Sequence, residues 1–243
     1  MSVAVWWKSL CTLAAINIAA WTLAAVSVDH EQALWQIVLS GIYVFGCAFR
    51  SFLPVYDIPR LCLVNSSASS VLVGRSVATL AELAFAAQWA VYLYASPVES
   101  VRLVSLTIMP LIVIAEICSW HAVLTTKNLG HVFENSLWGI SAALIVGSVT
   151  NPVWIVGGAL YVAYIFIFDV PMYWRRWKAD VAQRRRYLSL AQGVVDASRR
   201  SQVSFRWEDW RGEVTWMTLY FSFGVWVSIS LIYAVVGASG SAT

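Results

Sequence analysis

Long apolar runs separated by short polar breaks dominate the chain. Seven of them approach or exceed the roughly 20 residues with which a helix crosses about 30 Å of hydrocarbon. They fall at Val3–Val28, Ala33–Tyr56, Val71–Tyr94, Val101–Thr126, Glu134–Thr150, Val153–Tyr173 and Glu213–Gly237. The expectation is an all-α, polytopic membrane protein with six spans in residues 1–173, a basic, Trp-rich segment over 174–212, and a seventh span with a short tail over 213–243. Asn151 and Pro152 divide the fifth run from the sixth, because proline disfavours helix at the residue before it and itself opens the next helix well. The apolar region after Lys8 is too long for a typical signal peptide and is read as the first span.

Composition supports the pattern. Hydrophobic residues make up 60% of the chain and charged ones 12%, too few charges for a water-soluble domain to cover so much apolar surface. Cys11, Cys47, Cys62 and Cys118 form no CxxC pair, and three of them sit inside apolar runs. They are read as small buried hydrophobes, and a zinc ribbon is excluded by their spacing.

Charge gives the chain a direction. Ten of the sixteen Lys and Arg residues lie between Trp174 and Arg211, which assigns that segment to the cytoplasm. Alternating back along the spans puts Lys8, Arg60, Arg75 and Lys127 on the same side and leaves the short outer loops with Arg102 alone, so the N-terminus is expected in the cytoplasm and the C-terminus outside. Trp6, Trp7, Trp35, Trp174, Trp177, Trp207, Trp210 and Trp216 fall near the span ends, where indole rings are stable between acyl chains and water. The stretch Phe205–Trp210 mixes aromatics with charges and is expected to lie along the membrane surface, with anionic lipid as its partner. Nucleic acid is not an expected partner.

Ionisable residues inside the spans narrow the chemistry, since each costs on the order of 3 kcal/mol at mid-membrane and persists only with a partner or a task. Arg75, Thr79 and Glu82 are spaced i, i+4, i+7 on one face of the third span. Glu116, Trp120 and Lys127 share a face of the fourth, with His121 pointing elsewhere. Arg50 and Asp57 are seven apart in the second, with Pro54 between them expected to loosen the helix. His131, Glu134, Asn135 and Trp138 form a stripe at the start of the fifth, and Asp169 and Tyr173 are one turn apart in the sixth. All of these fall at the midplane or in the half of the membrane nearer the basic segment, whereas the other half offers Ser, Thr, Tyr, Trp and Gln88. One-sided polarity of this kind suggests a cavity open to the cytoplasm rather than a wide pore.

The absences exclude several activities. The lysines are Lys8, Lys127 and Lys178, none in the seventh span, which rules out a covalent retinal pigment. Three histidines are too few for a histidine-box hydroxylase, which needs about eight. GxSxG, HExxH and glycine-rich phosphate loops are missing. What remains first is an enzyme on a lipid or other lipophilic substrate. Its acid–base or metal-binding groups would be Glu82, Glu116, His131 and Glu134, and its substrate contacts Arg50, Arg75, Asp57, Trp120, Asn135, Asp169 and Tyr173. A proton-coupled transporter or narrow ion pathway is the second reading. The third is a structural subunit of a homo-oligomer or larger membrane complex, in which two arginines and two glutamates only neutralise one another. The sequence names no metal and no cofactor.

Overall fold

The computed structural model describes residues 2–240. It contains seven helices long and apolar enough to cross a membrane. In chain order these are α1 (Val3–Ser27), α2 (His30–Phe52), α3 (Val71–Tyr94), α4 (Glu99–Thr125) and α5 (Leu129–Val146), followed by two helices that each contain a π-helical turn. The sixth runs from α6 (Pro152–Tyr164) through the π turn Ile165–Asp169 into α7 (Val170–Ala182). The seventh runs from α10 (Val214–Leu219) through the π turn Tyr220–Gly224 into α11 (Val225–Gly240). Between them lie α8 (Leu190–Ser198) and α9 (Trp207–Trp210), and three two-residue strands: β1 (Val55–Tyr56), β2 (Leu61–Cys62) and β3 (Gln202–Val203).

Local chemistry sets most of the helix ends. The Asp29 side chain accepts from the Glu31 amide and starts α2, and Asn151 accepts from Val153 to start α6 with Pro152 in its first turn, an N-cap and a proline where each is most favourable. Pro54 does more than loosen the second helix: α2 ends at Phe52, and Val55 is already in a strand. Proline has no amide hydrogen and its ring collides with the carbonyl four residues back, and at the end of the apolar run the chain has other partners to turn to. Asp57 therefore lies outside the helix, in the β1–β2 turn, where its carbonyl accepts from Arg60. It shares no helical face with Arg50. Pro110, by contrast, stays inside α4, at a depth where no alternative to the helix would satisfy the backbone. The fifth helix opens at Leu129, five residues before Glu134, so that His131 and Glu134 both lie inside it.

The described residues form two compact units, one comprising residues up to Gln88 together with those from Ser198 onward, the other Trp89–Ala197. In the first, the core joins Trp6, Leu10, Tyr43, Val44, Trp210, Met217, Phe221 and Ile229 from both ends of the chain. Gly46 on α2 lets α3 approach so closely that an added Cβ would lie 2.7 Å from that of Ala81. The strands form one sheet in the order β1-β2-β3, antiparallel then parallel, with Leu61 opposite Gln202 and Cys62 opposite Val203. This sheet, a hydrogen bond from Arg200 to Asn65 and one from the Ser201 amide to the Ser69 carbonyl hold the segment after α8 against the α2–α3 loop. The segment does not lie free along a surface throughout, as its sequence suggests. Phe205 is exposed, but Trp210 is fully buried, with its ring 5.8 Å from that of Trp6 and its Nε1 donating to the Ser204 carbonyl at 2.9 Å.

In the second unit α4 and α5 pack side by side. Gly130 permits the approach, since a Cβ there would collide with the Cys118 carbonyl; small residues are how helix backbones come together in membranes. Asp180 at the end of α7 accepts from Asn128 at 2.9 Å and from Arg185 at 3.2 Å, and the Leu188 amide donates to the Thr125 carbonyl. The turn after α7 is thereby fixed against the α4–α5 connection. Burial, with Asp180 adding to it and Arg185 opposing it, raises the Tyr187 hydroxyl pKa in this turn.

Candidate functional site

Each unit has a cluster of buried ionisable groups, and the two differ in kind. In the first, Arg75 reaches two turns along α3 to donate from Nη2 to Glu82 Oε2 at 2.9 Å. The glutamate leans back toward the helix N-terminus and shortens the gap. The Tyr220 hydroxyl, from the π turn of the seventh helix, donates to Glu82 Oε1 at 3.2 Å. Rings pack about Tyr220: Tyr43 stacks on Phe85 at 4.6 Å, Trp216 stacks on Tyr220 at 5.0 Å, and Tyr43 meets Tyr220 edge-on at 5.8 Å.

Arg50 belongs to the same unit, in the last turn of α2. Its guanidinium carbon lies 5.8 Å from the Trp216 ring centre and 5.4 Å from that of Phe221, within reach of a cation–π attraction. It is 7% exposed, and its Nη1 is buried with no hydrogen-bond partner among the described residues.

The cluster of the second unit is built on α4 and α5. His131 Nδ1 and Glu134 Oε2, one turn apart on α5, are 2.6 Å apart and buried. A carboxylate oxygen of Glu116 on α4 lies within 4.8 Å of one of Glu134. The Tyr173 ring of α7 is centred 4.8 Å from the imidazole. Asn135 is turned to its own helix and donates to the His131 carbonyl at 2.8 Å. Asp169 is buried and closes the π turn of the sixth helix, a local widening often found at functional positions. Trp120 is half-buried, and His121 faces outward. Chemically, a carboxylate on Nδ1 fixes the imidazole tautomer and orientation and leaves Nε2 as the proton-accepting atom. Two carboxylates at the distance of Glu116 and Glu134 repel when both are charged, unless a cation or a shared proton offsets them.

A third polar group, within the first unit, has no ionisable member. Gln36 and Gln88 are paired, with Gln88 Nε2 donating to Gln36 Oε1 at 3.0 Å and Gln36 Nε2 donating to the Gln88 carbonyl at 3.0 Å. The Ser228 hydroxyl donates to Gln88 Oε1 at 2.5 Å and meets that of Ser40 at 2.9 Å. Gln36 is fourteen residues from Arg50 on α2, about 21 Å along the axis, so the spans are polar beyond the end that holds the charges. Attention to charged residues passes over Gln36 and likewise Asn17, whose Nδ2 donates to the Phe221 carbonyl in the π turn. An uncharged amide in each of three spans is the sequence signal that finds them.

No protein-family model, no curated protein and no solved structure matches this chain.

Proposed function

We propose that the protein is a membrane-embedded enzyme that performs acid–base chemistry on a lipophilic substrate entering from the bilayer. The observation that carries this reading is the buried His131–Glu134 pair at 2.6 Å on α5. In that arrangement Glu134 holds the ring, His131 Nε2 takes or gives the proton, and Glu116 stands close enough to balance the charge that develops. Exposed basic residues of the segment, among them Arg175, Lys178 and Arg184, meet anionic lipid and mark the cytoplasmic face.

The test is turnover. Wild-type protein and the His131→Gln and Glu134→Gln variants are reconstituted in liposomes of total lipid extract, and lipid species are followed by mass spectrometry. The expected outcome is a lipid consumed and a product formed by the wild type alone, with the variants slower by at least about 100-fold. Equal lipid profiles across all three proteins would end the enzyme reading.

A second reading, proton-coupled transport, is favoured by the Gln36–Gln88–Ser228–Ser40 network, which offers hydrogen bonds away from the charged end of the spans. It predicts that Glu134→Cys, in a cysteine-free background, is labelled by a membrane-impermeant thiol reagent from both faces. Under the enzyme reading the labelling comes from the basic-segment face only.

A further inference from the structure

Arg50 has the surroundings of a receptor rather than of a neutralised charge. An arginine that serves only to cancel a carboxylate turns the edge of its guanidinium to it. Here the rings of Trp216 and Phe221 attend the group at 5.8 and 5.4 Å, and Nη1 is buried without a partner. A buried donor left without an acceptor is costly, more so when it belongs to a charged group. A planar fork steadied by aromatic rings is the form in which arginine best takes two oxygens of a phosphate. Depth narrows the choice further. Arg50 lies two residues before the end of α2 at Phe52, whose carbonyl accepts from Trp7 Nε1 at 3.3 Å, and a span end flanked by tryptophan is the level at which lipid headgroups sit.

We propose that Arg50 binds the phosphate of a phosphate-bearing lipid, with Trp216 and Phe221 holding the guanidinium in place. This site lies within the first unit and goes beyond the acid–base reading, which concerns the second. The lipid replaces the missing acceptor at Nη1, and its chains remain in the bilayer. Arg75 is already engaged by Glu82.

The test uses the full-length protein in detergent with three probes: dioctanoyl phosphatidic acid, dioctanoylglycerol, which lacks the phosphate, and inorganic phosphate. Phosphatidic acid at a hundredfold excess over its Kd is expected to raise Tm by about 5 °C, and dioctanoylglycerol to leave it unchanged. Arg50→Lys keeps the charge but loses the fork and should retain less than half of the shift, while Arg185→Gln, at the α7 turn, should retain all of it. If the Arg50 variant does not fold, phosphatidic acid should still protect Arg50 of the wild type from phenylglyoxal, read by peptide mass. A full shift in Arg50→Lys, or no protection, overturns the proposal. An equal shift with inorganic phosphate overturns its lipid part. Loss of lipid turnover with the Tm shift intact would sink the enzyme reading and leave this site standing; the reverse result would sink the site alone.

Discussion

The charge cluster of α3 and the seventh helix and the charge cluster of α4 and α5 solve the same problem, ionisable groups inside an apolar protein, in opposite ways. Within the first unit, Arg75 and Tyr220 each take one oxygen of Glu82, and Trp216 stacks on the ring of Tyr220. Around His131 the partner is another titratable side chain, held one turn away on the same helix, with a second carboxylate near by. Closure with a strong cation fixes a charge in place. A histidine–carboxylate pair leaves a proton able to move. The first cluster should therefore matter most to folding and the second most to activity.

The largest expected effect tests the closed cluster. Glu82→Ala removes the acceptor of both bonds and is expected to destabilise the protein by about 3–5 kcal/mol, read as loss of unfolding free energy in mixed micelles. The double variant Arg75→Met/Glu82→Leu should recover most of the loss, because two apolar side chains of similar volume need no counter-charge. If the double variant is no better than the single one, Glu82 is doing more than closing an internal pair, and the contrast between the clusters fails.

A smaller change is expected at the open cluster. His131→Gln removes one charge-assisted hydrogen bond, worth about 1.5–3 kcal/mol at most, and glutamine recovers part of it by donating from its amide. The protein should remain folded while turnover is lost. Unfolding as severe as that of Glu82→Ala would make the α5 pair a structural device and remove the distinction.

Much of this is legible in the sequence. The seven spans follow from run length, the Asn151–Pro152 boundary from capping chemistry, and the shared face of Arg75 and Glu82 from the i, i+7 spacing, since helical periodicity projects sequence directly onto a face; that the two side chains meet does not follow from spacing alone. Asp57 was not legible in the same way: its spacing from Arg50 has meaning only if the helix continues, and Pro54 stops it. Periodicity could not have told Pro54 from Pro110, because the difference lies in depth and in the partners available to the freed backbone. Trp210 departs from its expected place for another reason. Its neighbours Glu208, Asp209 and Arg211 give it the look of an interfacial residue, yet its ring packs against Trp6, some two hundred positions earlier. No local pattern carries that pairing.

The mildest prediction concerns the small sheet beside the closed cluster, where Cys62 on β2 is buried and its Sγ donates to the Ser201 carbonyl at 3.2 Å. Burial raises its thiol pKa and the nearby Arg200 works against that rise. A raised pKa lowers the thiolate fraction at a given pH, and the thiolate is the species that reacts. With the other three cysteines replaced by serine, alkylation of Cys62 should be slow at neutral pH and should accelerate only at a pH above that needed for a free thiol. Arg200→Gln removes the one opposing charge but also the bond to Asn65 that helps pin the segment, so the two effects pull apart. If electrostatics dominate, labelling slows. If the tether dominates, the sheet opens and labelling quickens at every pH, which would show that this edge of the first unit is held by the Arg200 contact more than by the strands.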